Sequence, residues 1–371
     1  MAPRKKIRSL YVHIPFCDHI CHYCDFTKML IDDKLATRYL EWLFLELESY
    51  DPKELETIYV GGGTPSSLNE THLKILLQKL APLLAEGGEF SVEANVESLT
   101  KTKLSIMKSY GVNRLSIGVQ SFQPRLLKHM NRHHDRHQIF EAINSAKAVG
   151  FTNISIDLIL DLPTQSRRDI VADVNQALAL NVPHISTYSL TVHPGTVYGI
   201  KGVKEVNPDL SRTHYDLVLG MLRDAGYERY EVSNFAKKGH RGRHNLTYWN
   251  NEFYYAIGLG ASGYLPGEPA PYRYKNTMNM SKYLNGVTIV EREDVDLQAE
   301  EQYFLMLKLR LKEGFTSQEY KRLFKEDFSI RYADKIALLR AGGLLYNDAS
   351  RWYATDDGIM LLDQIILTLL S

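Results

Sequence analysis

The sequence has 371 residues, 44% of them hydrophobic, so it can bury a large core and form about two or three domains. Its 44 basic and 44 acidic residues give a formal net charge of zero, which disfavours nucleic-acid binding and a polybasic membrane anchor. No stretch approaches the roughly 20 consecutive apolar residues of a membrane-spanning helix, and we find no apolar signal segment. With only three cysteines, the sequence predicts a cytoplasmic protein without a disulfide framework.

Short β-rich segments alternate with longer helical patterns between residue 9 and about residue 235. Six segments are predicted strands: residues 10–14, 57–60, 89–94, 114–119, 153–160 and 184–190. Amphipathic patterns between them predict helices, for example over residues 35–50, 72–84 and 170–180. Strand and helix alternation of this kind indicates a parallel sheet.

Six such units are compatible with an incomplete (β/α) barrel and with a doubly wound open sheet. In both architectures ligands bind beyond the carboxyl ends of the strands, where the unusual polar residues of this sequence also lie. A classical dinucleotide fold is disfavoured, because the turn Gly61-x-Gly63-x-x-Ser66 lacks the third glycine of the usual motif. The barrel is therefore the preferred α/β architecture, with the functional site on one rim.

The alternation stops after residue 250. Residues 253–261 are aromatic and glycine-rich, and helical periodicity returns at residues 300–311 and 330–341. A predicted hairpin pairs residues 344–346 with residues 352–354, and a last helix begins at Asp356. We therefore predict three parts: a partial barrel over residues 1–235, an extension over residues 236–295, and an α+β, winged-helix-like domain over residues 296–371.

All three cysteines lie in one C-x3-C-x2-C segment after the first predicted strand: Cys17, Cys21 and Cys24. An odd number of crowded thiols favours a metal centre over disulfides. Thiolates are the usual ligands of iron-sulfur clusters, and a cubane held by three cysteines leaves one iron open for another ligand. A structural zinc site completed by His13, His19 or His22 is the alternative that spacing alone does not exclude.

The cysteine segment, preceded by Tyr-x-His-Ile-Pro-Phe over residues 11–16, resembles the radical S-adenosylmethionine (SAM) superfamily. The resemblance implies a partial six-unit barrel and a 4Fe-4S cluster whose open iron is chelated by SAM. In that superfamily the reduced cluster cleaves SAM to a 5′-deoxyadenosyl radical. The sequence also resembles one branch, which comprises the oxygen-independent coproporphyrinogen III oxidases and the related haem chaperones of the HemW family.

Glycines after the second predicted strand allow close approach of a ligand, and their amides can receive a carboxylate at a helix start. The resemblance assigns contacts with the amino-acid part of SAM to Gly62, Gly63 and Thr64. Taken alone, this triple glycine is equally compatible with a tight strand-to-helix turn.

Polar residues at other strand ends complete the implied SAM site. Charge-assisted hydrogen bonds from such residues can hold a zwitterionic cofactor, although single polar residues are more often surface or capping groups. The family resemblance assigns SAM contacts to Glu93, Gln120, Arg132 and Asp157. It further places Tyr11 near the sulfonium, Tyr23 near adenine and Thr191 at the rim.

Histidines occur at two further places. His129, His133 and His137 recur at four-residue spacing, but their charged neighbours favour a solvated helix face over a metal site. The segment 244–249 matches the HNxxYW motif of the HemW-type branch. Histidine among aromatic residues is usually a hydrogen-bonded core residue, yet it is also a common axial ligand of haem iron. We therefore predict His244 as a candidate haem ligand.

Two departures from the oxidase pattern favour the chaperone branch. Phe26 stands where the oxidases have a further cysteine, and the first predicted strand begins at Leu10, without their long N-terminal extension. The resemblance then implies a protein that binds haem, delivers it to haem proteins and has peripheral contact with a membrane as one option. The alternative is a radical SAM enzyme of the oxidase type that acts on a porphyrinogen or related substrate, so enzymatic activity stays open.

Overall fold

The computed structural model describes residues 6–348 and 350–371. Its strands are β1 (Ser9–Ile14), β2 (Phe16–Cys17), β3 (Met29–Leu30), β4 (Leu55–Gly62), β5 (Leu84–Asn95), β6 (Arg114–Gln120), β7 (Asn153–Leu160), β8 (His184–Ser189), β9 (Glu228–Arg229), β10 (Asn234–Ala236), β11 (Tyr255–Ile257), β12 (Ser262–Leu265), β13 (Tyr272–Asn276), β14 (Ile289–Asp294), β15 (Phe315–Thr316), β16 (Leu345–Asn347) and β17 (Arg351–Ala354). Its helices are α1 (Asp33–Tyr50), α2 (Glu70–Leu80), α3 (Lys101–Ser109), α4 (Pro124–His129), α5 (Arg136–Ala148), α6 (Arg167–Ala179), α7 (Val197–Ile200), α8 (Pro208–Asp224), α9 (Arg243–Trp249), α10 (Met280–Tyr283), α11 (Leu297–Lys308), α12 (Ser317–Phe324), α13 (Phe328–Arg331), α14 (Ala333–Ala341), α15 (Asp356–Met360) and α16 (Leu362–Leu370).

The main sheet has nine strands in the order β11-β1-β4-β5-β6-β7-β8-β10-β9. From β1 to β8 the strands are parallel neighbours in chain order, whereas a doubly wound sheet would reverse its order at a switch point. Edge strands β11 and β9 do not pair with each other, so the barrel is open. The predicted incomplete barrel is confirmed, and the doubly wound alternative is wrong.

Each parallel strand presents one face to the helices and the other to the barrel interior. In β7, Ile154 and Ile156 belong to the hydrophobic core, while Ser155 and Asp157 point to the interior and line a cavity. This division follows from the two-residue period of strands. The apolar face therefore holds the sheet and helices together, and the polar face is left for ligands.

Residues of the predicted extension take part in the main sheet. Strand β11 pairs in parallel with β1, and β12, β13 and β14 form a separate antiparallel sheet. Buried Glu46 of α1 anchors this region by accepting hydrogen bonds from Gly258 N (2.9 Å), Asn276 Nδ2 (2.6 Å) and the Tyr283 hydroxyl (2.5 Å). The prediction that the alternation stops after residue 250 did not include strand β11, because a three-residue strand has too few positions to show a period.

The C-terminal residues form a second hydrophobic core, which includes Phe304, Phe315 and Phe328. Around it lie helices α11 to α16 and an antiparallel sheet of order β15-β17-β16. The predicted hairpin corresponds to β16 and β17, so the expected α+β character of this part is confirmed.

One predicted helix boundary was wrong. Helix α2 ends at Leu80, a 3-10 turn follows over Ala81–Leu83, and β5 already begins at Leu84. Within the described residues, no helix is both long and apolar enough to cross a bilayer.

Candidate functional site

The carboxyl ends of the parallel strands surround a cavity of about 380 Å³. Of the residues singled out from the sequence, these line it: Cys17, Cys21, Cys24, Tyr23, Gly62, Gly63, Thr64, Glu93, Gln120, Arg132, Asp157 and Thr191. Tyr11 and His244 are not among the described residues that line it. The structure therefore brings together residues from six different strand ends, as the barrel prediction requires.

The cysteine loop forms one wall of the cavity, and all three thiols are free. Cys17 Sγ lies 3.5 Å from Thr64 Oγ1, and Arg132 Nη1 lies 3.8 Å from Cys21 Sγ. Burial raises the pKa of Cys17 to about 12 and that of Cys24 to about 11. Since metal ligands are thiolates, cluster binding here would release protons. Three soft sulfur donors beside a cationic side chain fit an iron-sulfur cluster.

The zinc alternative gains no support from the geometry. In the part of the chain that the structure describes, no group of three histidine, cysteine, aspartate or glutamate side chains is arranged to hold one metal ion. Zinc to sulfur bonds of about 2.3 Å would draw the thiolates closely together, whereas a cubane holds them farther apart. His13 is also occupied, because its ring nitrogens bond to the Tyr11 hydroxyl (3.0 Å) and to Thr27 O (2.8 Å).

The glycine turn after β4 is packed against the first strand. Gly62 has a φ of 111°, and a Cβ there would lie 2.5 Å from His13 Cε1, so only glycine fits. Its amide donates to Glu93 Oε2 (3.0 Å), the Gly63 amide to Ile14 O (2.8 Å) and the Thr64 amide to Phe16 O (2.8 Å). The expectation that these amides are free to receive a carboxylate was wrong, because the fold already uses them.

Two carboxyl groups lie on the interior faces of β5 and β7, the strands on either side of β6. Glu93 Oε1 accepts a hydrogen bond from the Tyr59 hydroxyl (2.6 Å), and burial raises the pKa of Glu93 to about 7. Burial likewise raises the pKa of Asp157 to about 6, and Ser116 Oγ lies 3.4 Å from its Oδ1. Such shielded acceptors can hold the hydroxyl groups of a ribose.

Arg132 is the cationic centre of the rim, with a side chain only 2% exposed. It donates to Asn95 Oδ1 (2.7 Å), Gly118 O (2.6 Å) and Glu97 Oε2 (3.2 Å), while its buried Nε has no partner. Burial opposes ionisation of Glu97, but the hydrogen bond with His134 and the Arg132 charge outweigh it and lower the pKa of Glu97 to about 2. The rim thus keeps a fixed positive charge that can receive a carboxylate.

Some of the supporting residues were not found from the sequence. Tyr59 and Glu97 carry no motif, and their contacts with Glu93 and Arg132 join different strands and loops. Gln120, by contrast, has a φ of 67°, a left-handed conformation that is uncommon for a residue with a side chain. That backbone feature distinguishes the end of β6, and it cannot be read from composition or periodicity.

Tyr11 and His244 lie behind the cavity wall. Tyr11 stacks on Tyr59 with a ring separation of 6.2 Å. His244 is 1% exposed, and its Nδ1 and Nε2 bond to the hydroxyls of Thr57 (2.8 Å) and Tyr248 (2.7 Å). Haem ligation by His244 stays a prediction, and it requires the ring to exchange one of these hydroxyls for iron.

The contribution of His244 to the free energy of unfolding is expected to depend on pH. Burial lowers its pKa from 6.5 to about 3, so acidification between these values favours the unfolded chain, which binds the proton more readily. His244→Phe removes the ring partner of the Tyr248 hydroxyl and one of the partners of the Thr57 hydroxyl, which also donates to Ser9 Oγ (2.9 Å), so it lowers the free energy of unfolding. This loss is expected to be about 1 kcal/mol smaller at about pH 5.5 than at about pH 7. Urea unfolding at both pH values measures this difference. A loss independent of pH would contradict a neutral His244.

The three histidines at four-residue spacing do not share a helix face. Helix α4 ends at His129, and α5 begins at Arg136, so the chain breaks between them. His129 Nδ1 bonds to the Tyr198 hydroxyl (2.8 Å), while the His137 side chain is 86% exposed. The premise of a continuous helix was therefore wrong.

Comparison with known proteins agrees with this architecture. Residues 11–177 match the family model of the Radical SAM superfamily, and residues 297–361 match that of the HemN C-terminal domain. The chain is 39% identical over 368 residues to a protein of Lactococcus lactis named heme chaperone HemW, with 96% of each chain covered. It is 36% identical to the Bacillus subtilis protein of that name, with 97% of this chain and 98% of the relative covered.

Among solved structures, coproporphyrinogen III oxidase (HemN) from Escherichia coli has a similar fold. Its TM-score is 0.86 at 21% identity, with 100% of this chain and 92% of that chain covered. At this identity the likeness concerns the fold alone, whereas the full-length relatives decide the family. The chain belongs to the HemW family of the radical SAM superfamily.

Proposed function

We propose that this protein binds haem and delivers it to haem proteins, and that it carries a 4Fe-4S cluster and SAM. The observation that carries the proposal is the position of the HNxxYW segment relative to the cysteines. Gly242 and Asn245 line the same cavity as Cys17, so the motif closes one end of the cofactor chamber. Full-length relatives named haem chaperones support the same function.

The cofactor residues have distinct roles in this proposal. When bound, the cluster supplies an electron to the sulfonium of SAM. Cys17, Cys21 and Cys24 would ligate it, and the Arg132 guanidinium, which lines the same cavity, would supply positive charge to the SAM carboxylate. The remaining proposed SAM contacts are Tyr11, Tyr23, Gly62, Gly63, Thr64, Glu93, Gln120, Asp157 and Thr191.

Haem binding requires a change at His244. We propose His244 as a haem ligand, because histidine nitrogen is a common donor to haem iron. Its release would cost the hydrogen bonds with the Thr57 and Tyr248 hydroxyls, and iron ligation would have to exceed that cost. We also propose a cytoplasmic location, since three free thiols suit a reducing compartment.

The oxidase-type alternative is less favoured. Phe26, where the oxidases have a further cysteine, is 65% exposed at the cavity edge and offers no thiol. The likeness to the oxidase structure at 21% identity supports the fold and no shared substrate.

One anaerobic experiment separates the two functions. The reconstituted protein is expected to retain haem through gel filtration and to transfer it to a haem-free globin. Given SAM, reductant and coproporphyrinogen III, it is expected to form no protoporphyrinogen. Loss of haem on the column, or formation of protoporphyrinogen, would contradict the chaperone proposal.

A further inference from the structure

The cavity continues inward from the cysteine rim to the other end of the barrel. Arg114 and His184 line it and are the first residues of β6 and β8, so the cavity reaches the amino ends of the strands. There Gly242 and Asn245, at the start of α9, form part of its wall. The SAM rim and the HNxxYW helix therefore face each other through one chamber.

A short series of contacts joins His244 to the rim. The His244 ring stacks on Tyr59 with centroids 5.2 Å apart and planes 25° from parallel. The Tyr59 hydroxyl donates to Glu93 Oε1 (2.6 Å), and Glu93 Oε2 accepts from Gly62 N (3.0 Å). The His244 ring thus contacts Tyr59, and Tyr59 in turn holds Glu93, which is one of the proposed SAM contacts.

The side chains of Tyr59 and Glu93 are tightly packed. A Cβ at Gly61 would lie 2.8 Å from both Glu93 Cδ and Tyr59 Cε1, so backbone and side chains are already in close contact. Tyr11 also stacks on Tyr59. Because well-packed groups transmit a displacement instead of absorbing it, loss of the His244 ring would let Tyr59 and Glu93 move together.

Helix α9 is also held at both of its ends. Buried Glu89 accepts hydrogen bonds from the amides of Arg243 and His244, both at 3.0 Å. At the other end of α9, Asn250 accepts a hydrogen bond from Lys308 Nζ (2.8 Å) of the C-terminal part. The helix therefore holds His244 against Tyr59 from a position between the barrel and the C-terminal core.

We infer that His244 is a positioning residue for the SAM site, acting through Tyr59 on Glu93. The inference rests on the proposed function, in which Glu93 is one of the SAM contacts.

The positioning role is tested by measuring the SAM affinity of the reconstituted, haem-free protein by calorimetry. Tyr59→Phe removes the hydroxyl that holds Glu93, and His244→Ala removes the stacked ring. Each is expected to weaken SAM binding about tenfold, the effect of losing one well-oriented buried hydrogen bond. His244→Phe retains a ring on Tyr59 and is expected to stay within about threefold of the original affinity.

A matched control variant is available in α10. Tyr283→Phe removes a buried tyrosine hydroxyl that donates to Glu46 at 2.5 Å, the same type of bond, outside the set of described cavity residues. It is expected to lower stability without a change in SAM affinity. If Tyr59→Phe and His244→Ala bind SAM as tightly as Tyr283→Phe does, the positioning role is overturned.

The original protein, measured in the same way, separates this inference from the proposed function. If it binds no SAM, the proposed function fails and the positioning role fails with it. If it binds SAM and both variants bind SAM as tightly as Tyr283→Phe does, only the positioning role is overturned.

Discussion

Alanine at Cys17, Cys21 or Cys24 is expected to leave the protein without its cluster after anaerobic purification. A cubane with three protein ligands and one open iron has no thiolate to spare, and the described residues contain no further cysteine that could replace a lost one. The SAM-binding rim would then lose its metal partner as well. Iron and sulfide per chain, together with the visible absorption of the cluster, measure the effect.

The same loop provides the control. Phe26→Ala, two positions after Cys24, removes an exposed side chain at the cavity edge but no sulfur. This variant is expected to keep its iron, because an exposed side chain contributes little to the loop fold. Full iron content in any single cysteine variant would show that the assigned thiols do not hold the cluster.

Arg132→Met is expected to lower the free energy of unfolding by about 3–5 kcal/mol, even without cofactors. The variant leaves the partly buried Glu97 carboxylate without the Arg132 cation and removes the donors of Asn95 Oδ1 and Gly118 O. It is also expected to lose SAM affinity, since it removes the positive charge that Arg132 brings to the cavity. Urea unfolding of the metal-free protein measures the first effect and calorimetry the second.

An exposed arginine gives the comparison for this variant. Arg125 is 50% exposed and pairs with Asp169 on the surface, so Arg125→Met is expected to cost less than about 1 kcal/mol. If Arg132→Met costs no more than Arg125→Met, Arg132 does not balance the buried charge of Glu97.

The barrel could be predicted from the sequence because its strands repeat a local pattern. Each strand is long enough to show apolar residues that alternate or run together, and each is followed by an amphipathic helix. The order of the strands was then decided by the structure, which excluded the doubly wound sheet. Strand β11 was missed, since three residues at Tyr255–Ile257 carry no measurable period.

The composition of the rim was also predictable, but its internal contacts were not. Cysteine spacing and family resemblance indicated the residues that line the cavity, whereas no local signal pairs Tyr59 with Glu93 or Glu97 with Arg132. The engagement of the glycine-turn amides and of His244 Nδ1 likewise depends on residues distant in the chain. Such long-range contacts decide which groups are free to bind a ligand.

The cluster assignment is tested most directly by a pair of Mössbauer spectra of the anaerobically purified, iron-loaded protein, recorded without and with SAM. We expect SAM to change the signal of one of the four irons of a cubane and to leave the others as they were. Four equivalent irons that do not respond to SAM, or a protein loaded with zinc in place of iron, would contradict the assignment of Cys17, Cys21 and Cys24 as the ligands of an open cluster.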